Sequence, residues 1–164
     1  MSIPFEVNYI DRQIDLELLQ TIPQPVEIQR VHTNLIFGAS RIVTGIEKAV
    51  QRYALLLLTS LGDVHFDVKQ GADFIRPILN GNIQNRGRFQ NLFALANASA
   101  RNQLKSEDAN TELYGSIPDD ERVTNSSLLD FDINFETATV TLRVGLTTAA
   151  GENYVFIVPV TVPR

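Results

Sequence analysis

The chain of 164 residues contains no cysteine, no tryptophan and only two histidines. Without cysteine it forms no disulfides, thiolate metal sites or cysteine nucleophiles. The two histidines, His32 and His65, accompany neither a Gly-x-Ser-x-Gly elbow nor a His-Glu-x-x-His pattern. The sequence therefore predicts neither a hydrolytic triad nor a zinc site, and it lacks the tryptophan on which sugars commonly stack.

Basic residues are also few, since 14 Lys and Arg stand against 19 Asp and Glu, for a net charge of −5. Nucleic-acid and anionic-membrane surfaces need clustered basic residues, so we expect neither partner. Residues Met1–Glu6 show no basic or long apolar segment, which predicts no signal peptide. The longest apolar block, Tyr53–Leu58, is far shorter than the roughly 20 residues that span a bilayer. We expect a soluble protein made in a cytoplasm.

Apolar residues make up 44% of the chain, which is enough for one domain with a core. Residues 1–40 hold only short alternating segments, Ile14–Leu18 and Val26–Ile28, separated by Pro23-Gln24-Pro25. We predict an extended N-terminal arm over residues 1–40 and a folded domain over residues 41–164.

The first segment with helical periodicity runs from Arg41 to Leu61. Its apolar side is formed by Ile42, Ile46, Ala49, Val50, Tyr53 and Leu57, and its polar side by Glu47, Lys48, Gln51 and Arg52. Leu55, Leu56 and Leu58 make the last turns apolar almost all round, which indicates contact with another chain. Gly62 is expected to end the helix.

A second helix is predicted from about Gly87 to Lys105. Its apolar stripe is Phe89, Leu92, Phe93, Ala96, Ala100 and Leu104. Between the helices, Val64–Val68 alternates and predicts a short strand or an extended connector. Ser106–Pro118 is polar and predicts a loop.

The last third predicts an antiparallel meander of three strands. The inward residues are Leu129, Phe131, Ile133 and Phe135 in the first strand and Val140, Leu142, Val144 and Leu146 in the second. After a turn at Ala150–Asn153, Tyr154–Val162 is apolar on both faces, and Pro159 places this strand toward an edge. Such an edge invites strand addition from another chain. The predicted class is α+β, with two main helices packed on a three-stranded antiparallel C-terminal sheet.

Three short motifs stand in order on these elements: Leu57–Asp63 (LLTSLGD), Gly71 with Phe74, and Asp120–Val123 before the first strand. Over residues 41–162 the chain resembles the baseplate wedge family of contractile phage tails, often labelled tail lysozyme-like, with relatives in contractile injection systems. It departs from that family where Asp120-Glu121-Arg122 replaces Glu-Pro-Arg. A second departure is Gly62-Asp63-Val64 in place of Gly-Glu-Arg.

The resemblance implies a structural protein and not an enzyme, without cofactor or metal. It would be present in several copies in the baseplate of a virion tail assembled in the host bacterial cytoplasm. Its partners would be the larger wedge subunits, the tail sheath protein, and tube or hub proteins. The implied wedge contacts are Asp120, Glu121, Arg122, Leu55, Leu56 and Leu58. The implied sheath-strand contacts are Tyr154, Phe156, Val158, Val160 and Val162.

Two other functions stay open: a peptidoglycan-degrading, lysozyme-like enzyme and a carbohydrate- or partner-binding β-module. A glycosidase needs two carboxylates about 5–5.5 Å apart for retention or about 6.5–9.5 Å apart for inversion. The candidate acids are Glu47, Asp63, Asp67, Asp119, Asp120 and Glu121. Asp130–Asn134 is spaced like the start of a calcium loop, but Phe135 stands where that loop needs glycine.

Overall fold

The computed structural model describes residues 15–16, 30–32, 42–65, 67–80, 85–134 and 139–161. In chain order these residues form β1 (Asp15–Leu16), β2 (Arg30–His32), β3 (Ile42–Val43), α1 (Gly45–Leu58), α2 (Ile75–Leu79), α3 (Arg86–Glu112), β4 (Val123–Asn134), β5 (Thr139–Thr148) and β6 (Asn153–Thr161). Strand β1 pairs with β3 in a small antiparallel sheet. The predicted N-terminal arm over residues 1–40 lies outside the described part of the chain except for β1 and β2, and so do Arg41, Phe66, Phe135 and Val162.

Strands β4, β5 and β6 form the predicted antiparallel meander, and α1 and α3 pack on it, so the α+β class is confirmed. The inward residues of β5 and β6 alternate without interruption and are buried: Val140, Leu142, Val144, Leu146, Tyr154, Phe156, Val158 and Val160. Gly151 turns the chain between the two strands with φ 81°, a value that favours glycine. The period-two pattern therefore located these strands correctly.

Strand β4 differs from its prediction in where it begins and in which leucine points inward. It begins at Val123, and its pairing with β5 shifts register between Leu128 and Asp130. The shift places Leu129 on the outer face, where it is 53% exposed, so the expectation that Leu129 shares the inner face with Phe131 is wrong. A bulge of this kind changes the face of the residues before it, here back to a second register shift between Val123 and Asn125. Leu129 lies against Gly145, whose missing Cβ would stand 3.3 Å from Leu129 Cδ1.

Helix α1 is the central helix and begins later than predicted, because Ile42 and Val43 belong to β3. Every residue of α1 is buried or half-buried. The expectation that Lys48 and Gln51 face solvent is wrong, since both are buried. Hydrophobic periodicity missed them because it assigns every polar side chain to the solvent, whereas a polar side chain that finds a hydrogen-bond partner can be buried.

Helix α3 has the predicted apolar stripe but continues to Glu112, so the predicted loop at Ser106–Pro118 is wrong over its first half. The apolar pattern stops at Leu104 because the next inward residue is Asp108, which pairs with Arg52 of α1 at 2.8 Å. The described residues within Val64–Val68 form turns instead of a strand, with Asp67 N donating to the Val64 carbonyl.

Candidate functional site

The edge of the sheet at β6 is the first candidate site, and the chain itself covers part of it. Strand β2 pairs in parallel with β6, placing Arg30, Val31 and His32 opposite Val155, Phe156 and Ile157. The strand order is β2-β6-β5-β4. The expected unpaired strand is thus covered at Val155–Ile157. Within the described residues, no strand pairs with Val158–Thr161 on the side away from β5.

The side chains implied as sheath contacts point into the protein's own core. Tyr154, Phe156, Val158 and Val160 are all buried, and the Phe156 ring meets Tyr53 of α1 edge-on at 5.8 Å. Alternation along a strand leaves only its outer face and backbone edge to another chain. A partner strand would therefore contact the β6 backbone and not these side chains.

Pro159 determines which backbone hydrogen-bonding groups of β6 face away from β5. It lies opposite Thr141 of β5. Because proline has no N–H, it is tolerated in a strand where its nitrogen faces away from the neighbouring ladder. By alternation, residues 159 and 161 then turn their backbone groups to the same open side. Along Val158–Thr161, β6 therefore presents the Pro159 carbonyl as a hydrogen-bond acceptor and the Thr161 N–H as a donor to an added strand.

The second candidate site is the loop before β4, and its Glu121 faces inward. The Glu121 carboxylate accepts a hydrogen bond from Gly45 N at 3.2 Å and from Lys48 Nζ at 2.9 Å. Glu121 is 2% and Lys48 7% exposed. The N-cap residue Thr44 makes no side-chain capping bond, so Glu121 supplies the missing acceptor. Its negative charge adds to that of Glu47 in the first turn of α1. Glu121 holds the loop to α1 and is not available to a partner.

Arg122 points the other way, toward the end of α3. Its Nη2 donates to the Glu112 carboxylate, and both side chains are partly exposed. Its Nε is buried and has no hydrogen-bond partner among the described residues. Beside Glu112 stand Leu113 and Tyr114, which are 76% and 92% exposed. We call Glu112, Leu113, Tyr114 and Arg122 the α3 tip.

The remaining implied wedge contacts are placed unevenly. Asp120 is half-buried in the loop, and Leu55 and Leu58 are half-buried on α1. Leu56 is a core residue of the protein itself. Self-burial in α1 thus accounts for much of the apolar pattern that indicated a partner chain.

A polar network that the sequence did not reveal joins α1, α3 and β4. Tyr53 Oη donates to Asn97 Oδ1 at 2.7 Å, and Ser126 Oγ donates to the same oxygen. Asn97 Nδ2 donates to the Ser126 carbonyl at 3.1 Å. Burial raises the pKa of the Tyr53 phenol, outweighing the opposing effects of Ser126 and Arg101. No local sequence motif predicts such a network, because its residues come from three different secondary-structure elements.

Arg52 forms a second unforeseen link between the helices. It donates to Glu107 at 3.0 Å and to Asp108 at 2.8 Å. Burial alone would lower the pKa of Arg52, but the hydrogen bonds and negative charges of the two carboxylates raise it. The last turns of α3 are therefore fixed to α1 by charge-assisted bonds.

Two of the sequence motifs meet at Gly71. Ala72 N donates to the Thr59 carbonyl at 2.8 Å. The Gln103 amide donates to the Gly71 carbonyl at 2.6 Å and accepts from Gly71 N at 2.8 Å. Gly71 has φ 105°, and a Cβ there would lie 2.5 Å from the Thr59 oxygen, so only glycine fits.

The candidate acids lie in three parts of the chain: α1 (Glu47), the segment between α1 and α2 (Asp63 and Asp67) and the loop before β4 (Asp119, Asp120 and Glu121). Glu47 is on α1, Asp63 pairs with Arg76 at 3.4 Å on the surface, and Asp119 receives a backbone bond from Ala150. Asp67 is exposed. Among the residues the structure describes, no group of three or more His, Asp or Glu could hold a metal ion.

Comparison with known proteins gives no further assignment: no protein-family model matches the chain, and no curated protein sequence matches it. In the described segments, no helix combines the length and apolar character needed to cross a membrane.

Proposed function

We propose that this protein is a structural component of a contractile-tail baseplate that is anchored to larger wedge subunits and starts the first ring of tail sheath by strand addition. The observation that carries the proposal is the β6 edge at Val158–Thr161, which has no partner strand among the described residues on the side away from β5. Exposed edges of this kind pair with strands of other chains. The motif order over residues 41–162, which resembles the baseplate wedge family, supports the same role.

A single strand-addition contact at β6 is weak, which favours a ring of several copies. A strand added along Val158–Thr161 forms about two or three backbone hydrogen bonds, because only residues 159 and 161 turn their backbone groups to the open side. Each contributes a net ~0.5–1.5 kcal/mol. One contact is therefore weak, and several copies held in fixed geometry raise the overall avidity. A baseplate supplies that arrangement, whereas an isolated β-module does not.

The α3 tip is the surface that we assign to the wedge subunits. Tyrosine and arginine are enriched among the residues that dominate binding at interfaces, and the tip presents Tyr114 and Arg122 together with Leu113. Glu121 and Asp120 then belong to the loop that positions Arg122. The apolar end of α1 contributes at most the half-buried Leu55 and Leu58.

Removing one outward N–H from β6 tests the sheath contact. Thr161→Pro deletes the donor that alternation with Pro159 assigns to the open side, and Thr161→Ala is the matched control that keeps it. We expect Thr161→Pro to fold and enter baseplates but to yield at least tenfold fewer sheathed tails by electron microscopy. Thr161→Ala should assemble normally. Normal sheath on Thr161→Pro baseplates would contradict the proposal.

A further inference from the structure

We propose that β2 is a displaceable cover on the strand-addition edge, and that a sheath strand pairs along Val155–Thr161 only after β2 has left. The inference rests on the proposed function, because it identifies what occupies that edge before assembly. It begins from the parallel pairing of Arg30–His32 with Val155–Ile157, which places a strand of the N-terminal arm on β6.

The two halves of the edge are protected in different ways. Val158–Thr161 contains Pro159, which removes one donor and makes this half a poor template for unselected strands. Val155–Ile157 contains no proline and has apolar side chains on both faces of the sheet, with Phe156 inward and Val155 and Ile157 outward. Val155–Ile157 is therefore the half of the edge that would pair with strands of unselected chains, and β2 covers it.

The cover is weaker than the ladder on the other side of β6. Strand β5 pairs with β6 in antiparallel fashion from Asn153 to Thr161, whereas β2 pairs in parallel over Val155–Ile157 alone. Parallel pairs are slightly less stable per residue, and β2 comes from a distant part of the chain, so its pairing also costs loop-closure entropy. An added strand along Val155–Thr161 makes more backbone bonds than β2 and can replace it.

A disulfide that locks β2 in place tests the displacement. The chain has no cysteine, so the double variant Arg30→Cys/Val155→Cys introduces the only thiols, at residues that lie opposite each other. We expect oxidation to form the bond and to reduce sheath initiation at least tenfold, with recovery on reduction. The control Asp132→Cys/Thr141→Cys joins β4 to β5, which stay paired, and should have no effect.

A second variant opens the cover in the full chain. Val31→Pro removes the central N–H of β2, and Val31→Ala is its control. We expect amide hydrogen exchange at Ile157, whose N–H faces β2 by alternation from Pro159, to accelerate at least tenfold in Val31→Pro. Exchange at Phe156, whose N–H faces β5, and in β4 and β5 should be unchanged.

Failure to cross-link, normal sheath on the oxidised protein, or unchanged exchange in Val31→Pro would each overturn the cover and leave the proposed function standing. If the native chain and the reduced variant both fail to start sheath, the proposed function is wrong. In that case the hydrogen-exchange measurement on Val31→Pro alone tests whether β2 covers β6.

Discussion

Glu121 Oε2 and Lys48 Nζ lie 2.9 Å apart with both side chains buried, and this pair joins the loop before β4 to the start of α1. Breaking a buried pair leaves an uncompensated charge, whereas replacing both members with apolar groups is often neutral. Glu121→Ala should therefore lower the free energy of unfolding by about 3 kcal/mol in urea titrations. Glu121→Leu/Lys48→Met should recover most of that loss. A loss well under 1 kcal/mol for Glu121→Ala would show that the pair is not maintained in solution.

Alanine substitutions at three glycines distinguish the cost of backbone strain from the cost of a steric clash. Gly71 has φ 105° and a Cβ there would meet the Thr59 backbone, Gly62 has φ 88° with open space around it, and Gly115 has neither constraint. Strain alone costs about 1–2 kcal/mol, so Gly62→Ala should lose that amount in chemical denaturation. Gly71→Ala should lose more, and Gly115→Ala almost nothing. Equal losses at Gly71 and Gly62 would rule out the close contact with Thr59.

The buried phenol of Tyr53 predicts a stability change at high pH. Its pKa is raised in the folded protein, so the folded state holds this proton more tightly than the unfolded state does. The stability that the protonated phenol contributes to the folded state is fully present below the unfolded pKa of about 10. It is lost progressively as the pH rises above that value. The stability advantage of the native chain over Tyr53→Phe should therefore shrink above about pH 10.

Urea unfolding of Tyr53→Phe at neutral and alkaline pH measures this change. At neutral pH the variant should lose about 1 kcal/mol, because Asn97 loses a donor. The control Tyr114→Phe alters an exposed side chain and should match the native chain at neutral pH. A difference between Tyr53→Phe and the native chain that stays constant through alkaline pH would contradict the assignment.

Arg122 should matter for assembly and hardly at all for folding. Its pair with Glu112 is partly exposed, and such pairs contribute about 0–1 kcal/mol. Arg122→Ala and Tyr114→Ala should therefore keep their melting temperatures within a few degrees yet reduce co-purification with wedge subunits. Arg76→Ala removes another surface arginine paired with an acid and serves as the control. Undiminished wedge binding by both α3-tip variants would remove the tip from the interface.

The sequence predicts those parts of the fold in which burial follows a simple period. The alternation of Val140–Leu146 and the stripe from Phe89 to Leu104 each place apolar side chains on one face, so period alone locates β5 and most of α3. The end of α3 was missed because its buried residue there, Asp108, is satisfied by a charge on another helix.

The candidate site is less accessible to this kind of reasoning. Lys48 is buried because of Glu121, which comes 73 residues later, and no local pattern reports that partner. Strand β2 is only three residues long, too short for alternation to show, so its place on β6 was not foreseen. The bulge at Leu128–Asp130 reversed the predicted face of Leu129 for a similar reason, since alternation cannot show a register shift.

The most direct test of the central claim is a cryo-EM map of the assembled tail that resolves backbone at the junction of baseplate and sheath. The account predicts a sheath strand hydrogen-bonded along β6 at Val158–Thr161, with β2 no longer beside Val155–Ile157. A map in which this edge is paired wholly within its own subunit, at a distance from any sheath chain, would contradict it.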